Sequence, residues 1–172
     1  MSERIYGLKP IVYKDSNVLI LGSFPGAESL KQQFYYADNG NIFWDFFSQY
    51  SGQDRPHSLS EASAILRELN VAVWDVYESV IREDKTGKKT SNDSDIKEYT
   101  FNDIRALLRD YPGISRIGVA GGNPYDSFVE HFPELKAECL PSTSGSNRKQ
   151  WGGKILDRTR KGWIKWSEFI EV

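Results

Sequence analysis

GSFPGAESLKQQFYYADNGNIFW, residues 22–44, follows directly on a short apolar run, Val18 to Leu21. Gly22 and Gly26 with Pro25 between them suit a tight turn from a strand into a helix, where backbone can approach a ligand closely. A plain strand-to-helix turn is the alternative reading of the pentapeptide alone. The stretch has no GK[ST] after it and no GxGxxG spacing, so it is neither of the common phosphate-cradling loops. Phe34, Tyr35 and Tyr36 then come together, and Asn41 stands two residues before Phe43-Trp44. Aromatics and an uncharged amide therefore crowd the mouth of one strand.

Working outward, four short apolar strands are predicted, at 17–22, 71–74, 116–121 and 137–140, each bounded by turn residues or a helical pattern. Helices are predicted at 41–50, 60–70, 100–111, 124–131 and from about 154 to 171. In the second, Ala62, Ile65, Leu66 and Leu69 share a face; in the third, Thr100 and Asp103 have capping-box spacing. Continuous apolar strands alternating with helices argue for a three-layer α/β/α fold with a short, mainly parallel sheet of about four strands. Ligands bind such sheets beyond the carboxyl ends of the strands. The loops 22–26, 75–80, 121–123 and 141–147 all follow strands and become the candidate site. The polar stretch 82–92, REDKTGKKTSN, reads as an exposed loop.

Composition narrows the class. A length of 172 residues suits one domain, 1–172, with a real core. No apolar run reaches membrane-span length, and the polar opening MSERIYGLKP gives no sign of a secretory leader. One cysteine and two histidines exclude a disulfide framework, a four-cysteine cluster and a histidine-rich metal site. The expectation is a cytoplasmic monomer with no metal, no cofactor and no membrane partner. The net charge of −2 gives no global attraction to nucleic acid, yet residues 148–165 hold seven Lys or Arg against Asp157 alone.

Together these segments resemble the uracil-DNA glycosylase superfamily, and within it most closely the hypoxanthine-DNA glycosylases, with the mismatch-specific uracil glycosylases next. GSFPGAESL…YYADNGNIFW is similar to motif 1, carried here by Gly22, Pro25, Gly26, Ser29, Tyr35, Tyr36, Asn41, Phe43 and Trp44. LPSTSGSNR, residues 140–148, is similar to motif 2, and VWDV, residues 73–76, to a segment of the hypoxanthine branch. The resemblance implies an enzyme that cuts the bond between a damaged base and its deoxyribose, acting on DNA with a deaminated or mismatched base, hypoxanthine or uracil, in base excision repair. Such a base must first leave the helical stack.

The resemblance also assigns candidate roles. Tyr36 stands where the superfamily places a stacking aromatic; a core tyrosine is the alternative. Asn41 stands where the hypoxanthine branch holds or activates the base, and its amide could both donate and accept; helix capping is the other role Asn fills well. Gly22, Ser23, Phe24, Pro25 and Gly26 would form the substrate-binding turn. Other branches carry Asn or Asp at the position of Phe24, so no water-activating residue is evident there. Asp38, where the hypoxanthine branch usually has His, could orient water or stabilise a cationic sugar, or simply be a solvated turn residue.

For gripping DNA, Ser142, Thr143, Ser144, Gly145 and Ser146 offer hydroxyls and N–H groups to phosphate. Relatives often place a Leu wedge where Ser146 stands, which shifts that work to Asn147 or Arg148. Lys154, Arg158, Lys161 and Lys165 would share one face of the last helix, with Ile155, Trp163, Trp166 and Ile170 on an apolar face. A merely solvated cationic face is the alternative. No lysine stands out as a Schiff-base nucleophile. Two further classes stay open: a nucleic-acid-binding protein that kept the fold and lost the chemistry, and a small-molecule α/β hydrolase.

Overall fold

The structure, a computed structural model, describes residues 3–87, 90 and 95–171. Its centre is β2 (Val18–Gly22), buried at every position. It pairs in parallel with β3 (Val71–Asp75) on one side and β6 (Arg116–Ala120) on the other, and β6 pairs with β7 (Glu138–Leu140). The strand order is β3-β2-β6-β7. This is the expected parallel sheet of four strands, and its apolar strands are buried on both faces.

Side-chain alternation divides the core in two. Val18, Ile20, Val71 and Val73 face α2 (Phe43–Ser51), α3 (Leu59–Glu68) and α6 (Lys161–Ile170). Leu19, Leu21, Ala72, Ile117 and Val119 face α4 (Ile104–Asp110) and α5 (Gly122–His131). The short α1 (Ala27–Gln32) leads out of the motif 1 turn. Three layers result, as predicted. Capping chemistry explains α3: Ser58 Oγ accepts from the Glu61 N–H at 3.2 Å, which satisfies one of the orphan donors of the first turn.

An antiparallel sheet of three strands was not expected. It is built from β1 (Ile5–Tyr6), β4 (Tyr77–Arg82) and β5 (Ile96–Phe101), in the order β1-β4-β5. Only Val76 separates β3 from β4, so one apolar pattern runs into the next. β5 is largely exposed and reads as polar. Arg82, taken as the start of an exposed loop, is a buried strand residue. Residues 83–87 do form a turn, with Thr86 bonded to Asp84; Lys88, Lys89, Ser91 and Asn92 lie outside the described residues. Thr100 belongs to β5 rather than to a helix cap. Asp103 is the cap of α4 instead, its carboxylate accepting from the Ala106 N–H at 3.0 Å.

The C-terminal helix is shorter than predicted. It begins at Lys161, so Lys154 and Arg158 lie before it and the four-cation face does not exist. Gly152 takes φ +100, and Asp157 Oδ1 accepts from both the N–H and the hydroxyl of Thr159. Such local side-chain bonds offer the backbone an alternative to the helix. Ile155 is 86% exposed, not on an apolar face, whereas Trp163 and Trp166 are core residues as expected.

Gly118 marks a tight point of the sheet. A Cβ there would lie 2.6 Å from Leu140 Cδ1 and 2.9 Å from Phe169 Cζ. Gly118→Ala is expected to destabilise the fold by about 1–3 kcal/mol through overpacking, read as a lower urea midpoint with an unchanged m value.

Candidate active site

The carboxyl ends of β2, β3, β6 and β7 open into a cavity of about 910 Å³. Residues 22–29, Tyr35, Tyr36, Asp38, Gly40, Asn41, Asp75, 120–124 and 142–146 line it. The sheet thus brings the predicted motif 1 and motif 2 segments to one place. They are also bonded to each other: Ile42 N–H donates to the Thr143 carbonyl at 2.7 Å. Gly145 lies so close to the other loop that a Cβ would sit 2.8 Å from the Gly40 carbonyl oxygen.

The motif 1 turn has two unlike sides. The Gly22 and Ser23 carbonyls accept from Val76 and Tyr77 N–H, and those of Phe24 and Pro25 accept from the Arg82 guanidinium. None of Val76, Tyr77 and Arg82 lines the cavity. In trans peptide units, which all of these are, N–H points opposite to C=O. The N–H groups of Phe24 and Gly26 are therefore turned to the cavity side, and no described residue accepts from either. The Phe24 side chain packs into the core with Tyr77 and Val80. What this position offers the cavity is its backbone, which is why an apolar residue can stand there.

Gly22 answers a second question of sequence. A Cβ on it would lie 2.6 Å from both Asp75 Oδ1 and the Tyr36 hydroxyl oxygen. Only glycine lets these two groups come together at the end of β2. Asp75 is a buried carboxylate, 4% exposed, that lines the cavity. It was missed as a site residue, although it sits in the VWDV segment at the last position of β3. Strand parity turns it to the same sheet face as Val71 and Val73, the face of Tyr36 and Phe43. Burial first, then the charges of Asp75 and Tyr36, push the Tyr35 phenol well above the usual tyrosine range.

The aromatic group divides by role. Phe34 and Tyr35 are buried, and Tyr35 donates to the Lys9 carbonyl at 2.7 Å. Tyr36 is half-buried and stacks on Phe43 at 3.9 Å between ring centroids, 13° apart. One ring face is thus covered by Phe43, and the ring lines the cavity. Its φ of +55° is unusual for a non-glycine residue. Ser29 Oγ helps hold that conformation by accepting from the Ala37 N–H at 3.1 Å.

Asn41 differs from expectation in one respect. Its Oδ1 accepts from the Phe43 N–H at 2.9 Å, at the start of α2. The capping role is real, and it turns Oδ1 toward the start of the helix. Asp38 Oδ1 accepts from the Gly40 N–H at 2.8 Å, as a turn aspartate does, yet the residue lines the cavity.

The motif 2 side chains are partly occupied. Thr143 is buried at the cavity wall, and its carbonyl accepts from Ile42 N–H. Asn147 donates its amide to the Ser142 carbonyl at 3.0 Å. Arg148 donates to the Gly153 carbonyl and pairs with Asp45 at 3.5 Å. Both brace the loop instead of projecting from it. Ser144 and Ser146 are exposed on the rim, as are Lys154, Arg158 and Lys161 beyond it. Arg158 stacks over Trp163.

Comparison with known proteins places this geometry. The family model of the uracil DNA glycosylase superfamily matches residues 10–166. The chain belongs to this superfamily. Among its relatives is the hypoxanthine DNA glycosylase of Methanosarcina barkeri, 28% identical over 166 residues, covering 92% of this chain and 95% of that one. The hypoxanthine DNA glycosylase of Methanosarcina acetivorans is 29% identical over 146 residues, 83% and 88% of the two chains. A solution NMR structure of a Methanosarcina acetivorans protein that carries a uracil DNA glycosylase name superposes with a TM-score of 0.72 at 25% identity, covering 99% of this chain and 96% of that one. The three-layer fold is therefore the superfamily fold, and the cavity gathers its two motif segments.

In this superfamily member, Gly22→Ala should force Asp75 and Tyr36 apart. The expected result is a folded protein less stable by about 1–3 kcal/mol, with an altered near-UV circular dichroism spectrum from the displaced Tyr36.

Proposed function

We propose that the protein hydrolyses the N-glycosidic bond of a deaminated base in DNA, hypoxanthine foremost and uracil second, as the opening step of base excision repair. Its class, a DNA glycosylase, follows from its superfamily and its relatives. The observation that carries the finer reading is the pairing of groups in the cavity: donors at Phe24 N–H, Gly26 N–H and Asn41 Nδ2, and a buried acceptor at Asp75.

Deamination of adenine or cytosine replaces an amino group by a carbonyl and a ring acceptor by a ring N–H. Asn41 Nδ2 suits the carbonyl and the Asp75 carboxylate suits the N–H. The parent bases present the opposite pattern and would leave a buried acid facing a ring acceptor, a mismatch that costs more than a missing bond. The flipped base would rest against Tyr36, where stacking is worth about 1–3 kcal/mol.

As the bond to C1′ breaks, its electron pair leaves with the base. The one-sided amides of Phe24 and Gly26 would stabilise that negative charge, the kind of preorganised effect that often carries most of the rate. Water then adds its oxygen to the cationic C1′ carbon, and its proton goes to the released base. Asp38, at the cavity wall, would orient that water. Lys31 is exposed and no lysine among the described residues lines the cavity, so the reading is monofunctional, without strand nicking. Exposed Ser144, Ser146 and Lys161, with Lys154 and Arg158, would meet backbone phosphates.

The direct test is incubation with duplexes holding one hypoxanthine or one uracil. Alkali-labile abasic sites are the expected product, and a protein that binds such DNA without forming them would be a binding module. Asn41→Asp separates the two roles of that residue, because it keeps the acceptor for Phe43 N–H and loses the donor. It should remain folded and lose at least tenfold in excision, about 1.4 kcal/mol. Asn41→Ala should lose as much activity and also about 1 kcal/mol of stability. Asp75→Asn should lower excision of hypoxanthine at least tenfold, with unchanged affinity for DNA that already holds an abasic site; weakened binding to both would mark a packing role.

A further inference from the structure

The donors of the motif 1 turn face the cavity because the far side of the turn is held, and a single buried cation supplies half of that hold. Arg82, the last residue of β4, is 3% exposed. Its Nη1 donates to the Pro25 carbonyl at 3.0 Å and its Nη2 to the Phe24 carbonyl at 3.5 Å. The guanidinium also lies over the Phe24 ring, 5.1 Å from the centroid. Burying a charge is costly, and two neutral donors could satisfy two carbonyls. A guanidinium adds a rigid planar fork and a positive charge.

We propose that Arg82 is a positioning residue for excision, holding the far side of the motif 1 turn and polarising the Pro25–Gly26 peptide so that Gly26 N–H stabilises negative charge on the departing base. The inference rests on the glycosylase reading of the cavity. A carbonyl drawn into a cationic hydrogen bond leaves the N–H of the same peptide unit more positive. Pro25 C=O and Gly26 N–H belong to one such unit. The charge itself lies in a low-dielectric setting behind the turn, where its field reaches the cavity little screened. The antiparallel sheet, absent from the expected fold, thereby carries a catalytic support and not only an extra layer of packing.

Two variants test this. Arg82→Lys keeps the charge and loses the fork; Arg82→Met keeps the length and loses the charge. Single-turnover excision is measured for two leaving bases that differ in acidity, hypoxanthine and the more acidic 8-azahypoxanthine, in one duplex sequence. Arg82→Met is expected to slow hypoxanthine release at least tenfold and release of the more acidic base clearly less, with Arg82→Lys between. The amide resonance of Gly26 is expected to move in both variants, while those of β6 stay in place. Equal slowing of both bases, or a Gly26 resonance that does not move, overturns the proposal. Should Arg82→Met not fold, Arg82→Lys still decides it by both readouts. A wild-type protein that releases no base overturns the glycosylase reading instead, and the resonances then still report whether Arg82 holds the turn.

Discussion

Everything in this molecule hangs on the burial of β2. Four apolar residues in a row, Val18 to Leu21, cannot alternate between core and water, so both faces of the strand need cover and both edges need partners. β3 and β6 satisfy the edges in parallel, and parallel neighbours can be joined only by long crossovers. The crossovers become the covering helices. All carboxyl ends then lie on one rim, and the loops that follow them have nowhere else to meet. The cavity is a consequence of that pairing before it is anything chemical.

The rim is kept in shape by packing on one side and hydrogen bonds on the other. α2 drives Phe43, Trp44, Phe46 and Phe47 into the core, where Phe46 meets Trp151, Trp163 and Trp166. Tyr36 rests on Phe43, the first residue of that helix, so the wall of the cavity is an extension of the core. Asn41 joins the two: its amide oxygen accepts from the first turn of the helix, and the residue lines the cavity. A site built this way is rigid where a loop alone would not be. Its polar groups sit on anchored backbone, which suits a reaction limited by charge stabilisation.

Much of this was legible in the sequence. The apolar runs predicted β2, β3 and β6 because a largely buried strand needs no partner to be recognised, while the short β7 is mostly exposed. The turn residues and aromatics of 22–44 predicted where the cavity would open. Less legible was everything that depends on a partner distant in the chain. YESVIR and IKEYTF pair with each other across a loop, and neither has the continuous apolar pattern of the parallel strands, so the antiparallel sheet stayed hidden. Lys154 and Arg158 have helical spacing to Lys161, but Gly152 and the Asp157 turn break the helix before it reaches them.

The sequence by itself determined the strand order of events along the chain, the turn that ends β2, and the residue types gathered near it. These are local properties, fixed by hydrophobic pattern and by what glycine, proline and asparagine do to the backbone next to them. Only the tertiary structure decided which of those residues act together. Asp75 and Tyr36 meet at Gly22 because strand parity and a missing Cβ allow it. The Gly26 amide is turned to the cavity because Arg82, 57 residues beyond Pro25, takes the Pro25 carbonyl of the same peptide unit. Such relations rest on distances and directions across the fold, and a linear pattern of residue types carries neither.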